Sequence, residues 1–227
     1  MFNTAGFFIK HPAETCDTIT GKRRRTGNIK EELSMNRNDI NRLNTINAIK
    51  ESFITLYEKK GIDNVSVREI CEMTGVSRTI FYKYFDDKYQ ILEEIEDEVL
   101  QATRSMNVNL RDEPLRKYAD GTMFDSLLNT ITYIYNKRRY FKPLMGPNGD
   151  SRFLFRWKKQ IREDVSRGTE NTSSDLYKIA GSGVVNDLFA SICIGIYTYW
   201  FYENPGLSVE QIAKMESYLL YALFVKV

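Results

Sequence analysis

Apolar residues recur at intervals of three and four positions along most of the chain, and this spacing is typical of amphipathic helices. No segment shows the strict alternation of a half-buried strand, so the sequence predicts an all-α protein. The predicted helices span residues 43–60, 67–74, 78–84, 122–135, 151–168, 175–202 and 208–226. One more helix is predicted to begin at residue 88.

Local signals for helix ends and a tight turn are concentrated in residues 46–92. Ser66 followed by Glu69 predicts a capping box, and Ser77 predicts a second helix start soon after. Gly75 lies between these two helices, where a positive φ is expected. Two short helices joined across a glycine turn indicate a helix-turn-helix.

The outward positions of the second of these helices suit contact with DNA. Arg78 has the geometry to read guanine through two hydrogen bonds, and Thr79 offers a methyl group to thymine. Tyr82 and Lys83 suit phosphate contacts. The alternatives are that Arg78 and Lys83 are solvated surface residues and that Tyr82 belongs to the core.

The pattern divides the chain into three parts. Residues 1–34 show no periodicity and are expected to be a disordered leader, with Met35 as an alternative start and a basic arm as the functional alternative. Residues 35–90 form the predicted helix-turn-helix domain. Residues 91–227 form a predicted helical bundle for ligand binding and dimerisation.

The composition bears on catalysis and metal binding, but it gives little information about binding partners. The 32 basic and 30 acidic residues give a net charge of +2, so bulk charge does not indicate nucleic-acid binding. A single histidine and three cysteines without metal spacing predict neither an enzyme nor a metal or cofactor site. The scattered cysteines favour a reducing cytosol. The most apolar stretch, residues 184–202, contains Asn186 and Asp187 and is expected to be a buried helix rather than a membrane span.

One block of the sequence resembles a known family. The residues GVSRTIFYKYFDDKYQIL resemble the signature of the TetR family, and AIKESFITLYEKKGIDNVSVREIC is similar to that family's first two helices. The resemblance covers residues 46–92. More weakly, RRYFKPLMGPNGDSRF and YWFYEN resemble a Gram-positive subgroup related to activators of dihydroxyacetone utilisation.

The resemblance implies DNA contacts residue by residue. Arg78, Thr79 and Tyr82 fall on base- and phosphate-contacting positions, and Lys88 matches a phosphate-binding lysine at a helix start. The full set of implied DNA-binding residues is Ser66, Arg68, Ser77, Arg78, Thr79, Tyr82, Lys83, Tyr84 and Lys88. The pair Asp86 and Asp87 departs from this pattern, because acids repel phosphate, and is expected to serve as helix caps.

The resemblance also implies a cytoplasmic, nucleoid-associated homodimer on a palindromic operator. Residues 175–202 and 208–226 would form the dimer face, with Gly181, Gly183 and Ala190 allowing close approach. A repressor released by a small apolar or aromatic effector is favoured. The alternative is a regulator or DNA-organising factor that a protein partner controls. Candidate effector-pocket residues, which core packing would explain equally well, are Tyr133, Phe153, Trp157, Tyr197 and Trp200.

Overall fold

The computed structural model describes residues 36–107, 123–169 and 174–225. This described part of the chain contains ten α-helices and no β-strand, which confirms the predicted all-α class. The helices are α1 (Arg37–Lys60), α2 (Val67–Thr74), α3 (Arg78–Tyr82), α4 (Lys88–Met106), α5 (Met123–Asn136), α6 (Arg138–Met145), α7 (Ser151–Gly168), α8 (Asp175–Ala180), α9 (Ser182–Tyr202) and α10 (Val209–Leu220), which continues as a π-helical turn over Tyr221–Val225.

Among the described residues, backbone contacts gather those from Asn41 onward into one compact unit, and those before Asn41 belong to a second. The packing of α2 to α10 lies within the first of these units. The expected boundary between residues 90 and 91 falls inside it and remains a prediction. The expected leader, residues 1–34, lies outside the described residues.

The first three helices share a small apolar core. Ile49 and Phe53 of α1, Ile70 of α2 and Phe81 of α3 are all fully buried. The sequence pattern places Ile80 in this core as well, but its side chain is 38% exposed. Neighbouring positions on a helix point about 100° apart, so the rotation that buries Phe81 turns Ile80 outward.

The remaining helices form a bundle around α9. This helix packs along α7 and also contacts α6 and α10, while α10 packs along α5. Phe141, Phe153, Trp157 and Tyr197 meet in its interior, with ring centroids of neighbouring pairs 4.9 to 6.3 Å apart. Aromatic rings at these distances contribute beyond the area that they bury.

Within the described residues, α9 is the one helix long and apolar enough by composition to cross a membrane. In its most apolar 18-residue window, 44% of the residues are buried inside the protein. Its buried side packs on α7 and α10, as a core helix would. The expected absence of a membrane partner remains a prediction.

Four helix expectations need correction. Helix α1 begins at Arg37 rather than at residue 43. The single helix expected over residues 175–202 is broken at Gly181, whose φ of 80° and ψ of 153° are accessible almost only to glycine. Helix α6 was not expected, because Pro143 and a cluster of basic residues conceal its short buried face. Helix α3 is shorter than expected, ending at Tyr82 rather than Tyr84.

Candidate nucleic-acid interface

Helix α2 starts with a capping box supplied by its own sequence. The Glu69 amide donates to the Ser66 hydroxyl at 3.3 Å, and the Ser66 amide donates to the Glu69 carboxylate at 3.0 Å. Hydrogen bonds from Lys60 and then Ser66 lower the pKa of Glu69 to about 2, so the carboxylate stays charged at neutral pH. The expected cap is confirmed.

The turn after α2 depends on a glycine. Gly75 adopts φ 77° and ψ 16°, and its amide donates to the Cys71 carbonyl. A Cβ added to Gly75 would meet no atom within 4 Å. Glycine is therefore favoured here by its left-handed backbone conformation and not by lack of space.

Replacing Gly75 with valine should destabilise the protein by about 1–2 kcal/mol, because a β-branched residue is strained in the left-handed region. Gly75→Asn should cost less, since asparagine tolerates that region. Urea unfolding checks both variants. The control is Gly206→Ala, because Gly206 has no left-handed backbone and its added Cβ would make only an ordinary contact of 3.6 Å with the Asn204 side chain. A Gly75→Val variant as stable as the control would contradict the requirement.

Helix α3 is capped and anchored at two residues. The Ser77 hydroxyl accepts a hydrogen bond from the Ile80 amide at 3.2 Å, so Ser77 caps this helix. Phe81 is fully buried and lies near Phe85, with 6.0 Å between the ring centroids. The cap and the buried ring together fix the direction in which α3 points.

The predicted recognition residues lie on the outer side of α3. Arg78, Thr79, Tyr82 and Lys83 are all exposed, and the Tyr82 side chain is 55% exposed, so it is not a core residue. Neither Arg78 nor Lys83 forms an ion pair within the described residues. Two cations, a hydroxyl and a phenol are thus presented to solvent by α3 and its C-cap residue, Lys83.

The other predicted contact residues have partners within the protein. Arg68 is exposed but paired with Glu72 at 2.6 Å. Tyr84 is half-buried and packs against the core. These two residues are therefore less available than the outer side of α3.

Lys88 has a structural role beside its expected phosphate contact. Its ammonium donates hydrogen bonds to the carbonyls of Asp63 at 3.0 Å and Val65 at 2.9 Å. The first residue of α4 is thereby tied to the loop between α1 and α2. Asp87 accepts hydrogen bonds from two amides at the start of α4, so its expected role as a cap is confirmed.

The five effector-pocket candidates do not form one cluster. Phe153, Trp157 and Tyr197 are buried together, and the Trp157 and Tyr197 rings stack at 5.2 Å. Trp200 instead stacks on Tyr135. Tyr133 lies edge-on to Phe141. Core packing accounts for these contacts, and a ligand-binding role remains a prediction.

Glu216 is a buried acid that was not predicted from the sequence. It is 2% exposed, and one of its carboxylate oxygens has no hydrogen-bond partner. Burial raises its pKa to about 7, although Tyr197 and Cys193 donate hydrogen bonds to it. Its spacing of four from both Ile212 and Leu220, which are buried, is the signal that would have revealed it.

Two capped short helices around a glycine turn, with a cationic and aromatic outer side on the second, form a helix-turn-helix. In its described residues the protein is therefore all-helical and carries a motif that is typical of DNA-binding proteins.

Comparison with known sequences finds a family match over the helix-turn-helix. Residues 54–95 match the family described as bacterial regulatory proteins, tetR family. This match covers the helix-turn-helix segment of the chain. A curated relative, the HTH-type regulator YxbF of Bacillus subtilis, is 20% identical over 166 residues, or 73% of this chain. The chain spans 42% of that relative's length.

Solved structures share the fold. A TetR regulator from Streptococcus agalactiae superimposes with a TM-score of 0.54 at 19% identity, covering 82% of this chain and 97% of its own. The dihydroxyacetone kinase operon activator DhaS gives 0.51 at 17% identity, covering 80% and 97%. At these identities the likeness shows the fold alone, so membership of the subgroup remains a prediction.

Proposed function

We propose that this regulator is a homodimeric repressor that binds a palindromic operator and is controlled by a small-molecule effector. The observation that carries the proposal is the outer side of α3, where Arg78, Thr79 and Tyr82 are exposed on a capped and anchored helix. Side chains so placed suit the reading of base edges in the major groove. A cytoplasmic, nucleoid-associated location follows from this role.

A dimer is needed because a single recognition helix reads only a few base pairs. Two helices related by a two-fold axis read two half-sites one helical turn or more apart. Selection of bound DNA from a random pool tests this directly. A palindrome with two half-sites would support the proposal. Failure to enrich any sequence, with the protein folded, would move the assignment to a regulator controlled by a protein partner.

The proposed dimer face is a stripe on α9 together with the outer side of α10. On α9 the exposed positions Val184, Leu188, Gly195 and Tyr199 recur at helical spacing. On α10 and the following turn, the exposed apolar residues are Met215, Tyr218 and Tyr221. Ala190, which was expected on this face, is fully buried within the protomer instead.

Gly195→Leu should abolish the dimer while leaving the protomer folded. A Cβ at Gly195 meets no atom within 4 Å inside the protomer, so the added bulk is harmful only where another helix packs closely. Sedimentation equilibrium measures the oligomeric state. Gly195→Ala is the matched control and should retain the dimer, with a gain of up to about 1 kcal/mol in helix stability. A Gly195→Leu variant that remains dimeric would remove α9 from the interface.

The direction of regulation needs a test of its own. Repression follows if the bound dimer occupies a site that RNA polymerase needs. The structural neighbour DhaS is an operon activator, so activation is the alternative outcome. A reporter fused to the selected operator, with and without the regulator, distinguishes the two. Lower expression with the regulator present supports repression.

A further inference from the structure

A groove of about 600 Å³ opens where α1, α5, α6 and α9 meet. This volume lies within the range of small-molecule pockets. Glu58 contributes from α1, Tyr135 from α5, Arg138 and Lys142 from α6, and Trp200 from α9. The groove therefore touches both the first helix of the DNA-binding part and the bundle behind it.

One wall of the groove is a stack of flat groups. The Arg138 guanidinium lies 4.4 Å from the centroid of the Tyr135 ring. Tyr135 stacks on Trp200 at 5.2 Å, and Trp200 on Phe201 at 5.3 Å. The Trp200 indole donates a hydrogen bond to the Leu207 carbonyl at 2.8 Å, which fixes its ring. The stack ends in the Arg138 cation at its open side.

The cations of the groove differ in how well they are neutralised. Arg139 is paired with Glu51. Lys142 lies 3.9 Å from Glu58. Arg138 is exposed, donates one hydrogen bond to the Tyr135 carbonyl at 3.0 Å, and forms no ion pair within residues 36–107, 123–169 and 174–225. The groove thus keeps one unmatched guanidinium beside an aromatic surface.

We propose that this groove binds a small aromatic anion, a carboxylate or a phosphate monoester. The planar guanidinium of Arg138 pairs with the anionic group through two hydrogen bonds. Both faces of the Tyr135 ring are already covered, one by Arg138 and one by Trp200. The ligand's ring therefore packs against the edge of Tyr135 and against Pro205. Lys142 adds a second positive charge at the groove wall. The inference rests on the proposed function, in which this ligand is the effector.

The position of the groove provides a route from the ligand to DNA. Glu51 of α1 accepts hydrogen bonds from Arg139 and Tyr140 of α6. The Asn148 side chain, after α6, donates to the Glu58 carbonyl of α1 at 3.1 Å. The ion pair between Lys142 of α6 and Glu58 of α1 is a further link. An anion that draws Lys142 away from Glu58 weakens it. Its differential affinity for two arrangements of α1 would then set the effect on DNA binding.

Calorimetric titration of the full chain tests the binding site without DNA. The probes are 2-naphthoate and 2-naphthyl phosphate, with neutral 2-naphthamide as the matched ring. We expect one or both anions to bind and the amide to bind about tenfold or more weakly, as the loss of a charge-assisted pair predicts. No binding of either anion, or equal binding of the amide, would overturn the proposal.

Substitution identifies the residue responsible. Arg138→Gln should weaken binding of the anion about tenfold. Arg167→Gln is the matched control, because Arg167 is an exposed arginine near the end of α7 and outside this groove. Equal affinity of Arg138→Gln and wild type would overturn the role of Arg138.

The two tryptophans locate the ligand. In a proton–nitrogen correlation spectrum, 2-naphthoate should shift the Trp200 indole resonance and leave that of Trp157 in place, with Trp157→Phe providing the assignment. A shift of Trp157 alone would place the ligand elsewhere.

Operator binding measured with and without the anion separates the two proposals. Binding in the groove without an effect on operator affinity removes only the effector role, whereas failure to bind any DNA removes the proposed function and leaves the ligand site intact.

Discussion

Arg78→Ala is expected to cost about 1–3 kcal/mol of base discrimination in each half-site, and about twice that over a symmetric operator. Arg78 is the first residue of α3, exposed and without an ion pair in the described residues. Its guanidinium is therefore available to the two acceptors of a guanine. Competition binding at fixed salt, with operators changed at one base pair at a time, measures the loss.

The matched control for Arg78→Ala is Lys83→Gln, at the exposed C-cap residue of the same helix. A phosphate contact predicts equal weakening on all sequences and a salt slope lower by about one for each half-site, or about two over a symmetric operator. Lys88 serves less well as this control, because its ammonium also holds the loop between α1 and α2. If Arg78→Ala retains the preferred sequence of the wild type, Arg78 does not read a base.

Glu216→Gln is expected to stabilise the protein at pH 8 and to have little effect at pH 5. Burial raises the pKa of Glu216 from 4.5 to about 7, so the folded state holds a proton that the unfolded state releases. The stability associated with this group is therefore complete below about pH 4.5 and is lost as pH rises through about 7. The difference corresponds to roughly 3 kcal/mol at most.

Urea unfolding from pH 5 to 8 at constant protein concentration measures this difference, since dimers unfold in a concentration-dependent way. Glu96, whose pKa burial also raises to about 7, contributes its own slope to wild type and variant alike. Subtracting the two curves isolates Glu216. Glu210→Gln, at an exposed acid of the same helix whose pKa is lowered through Ser208, should show no such gain above pH 5. A parallel pair of curves would mean that Glu216 is ionised in the folded protein.

The helix-turn-helix was predictable because its signals are local. Ser66 with Glu69, Gly75 and Ser77 each act within four residues of their own position, through caps and one backbone conformation. Periodicity likewise predicted most helices of the bundle. The outward direction of Arg78, Thr79 and Tyr82 followed from the burial of Phe81.

The candidate ligand sites were not predictable in the same way. Trp157, Tyr197 and Trp200 all lie on apolar helical stripes, yet the fold places Trp157 and Tyr197 in one stack and Trp200 in another. Arg138 belongs to no recognised motif. It borders a groove only because α1 and α9, which come from distant parts of the sequence, lie beside α6. Spacing along one helix carries no information about which other helix covers it.

By itself, the sequence determined the all-helical class, the capped helix-turn-helix and the identity of the exposed cations on α3, because caps, turns and periodicity are properties of short segments. Only the tertiary structure decided that Ala190 faces inward, that Glu216 is buried away from water, and that Arg138 borders an aromatic groove. These outcomes depend on how helices that are distant in sequence pack together, because the burial and the charge partners of a side chain are determined by all the helices that surround it.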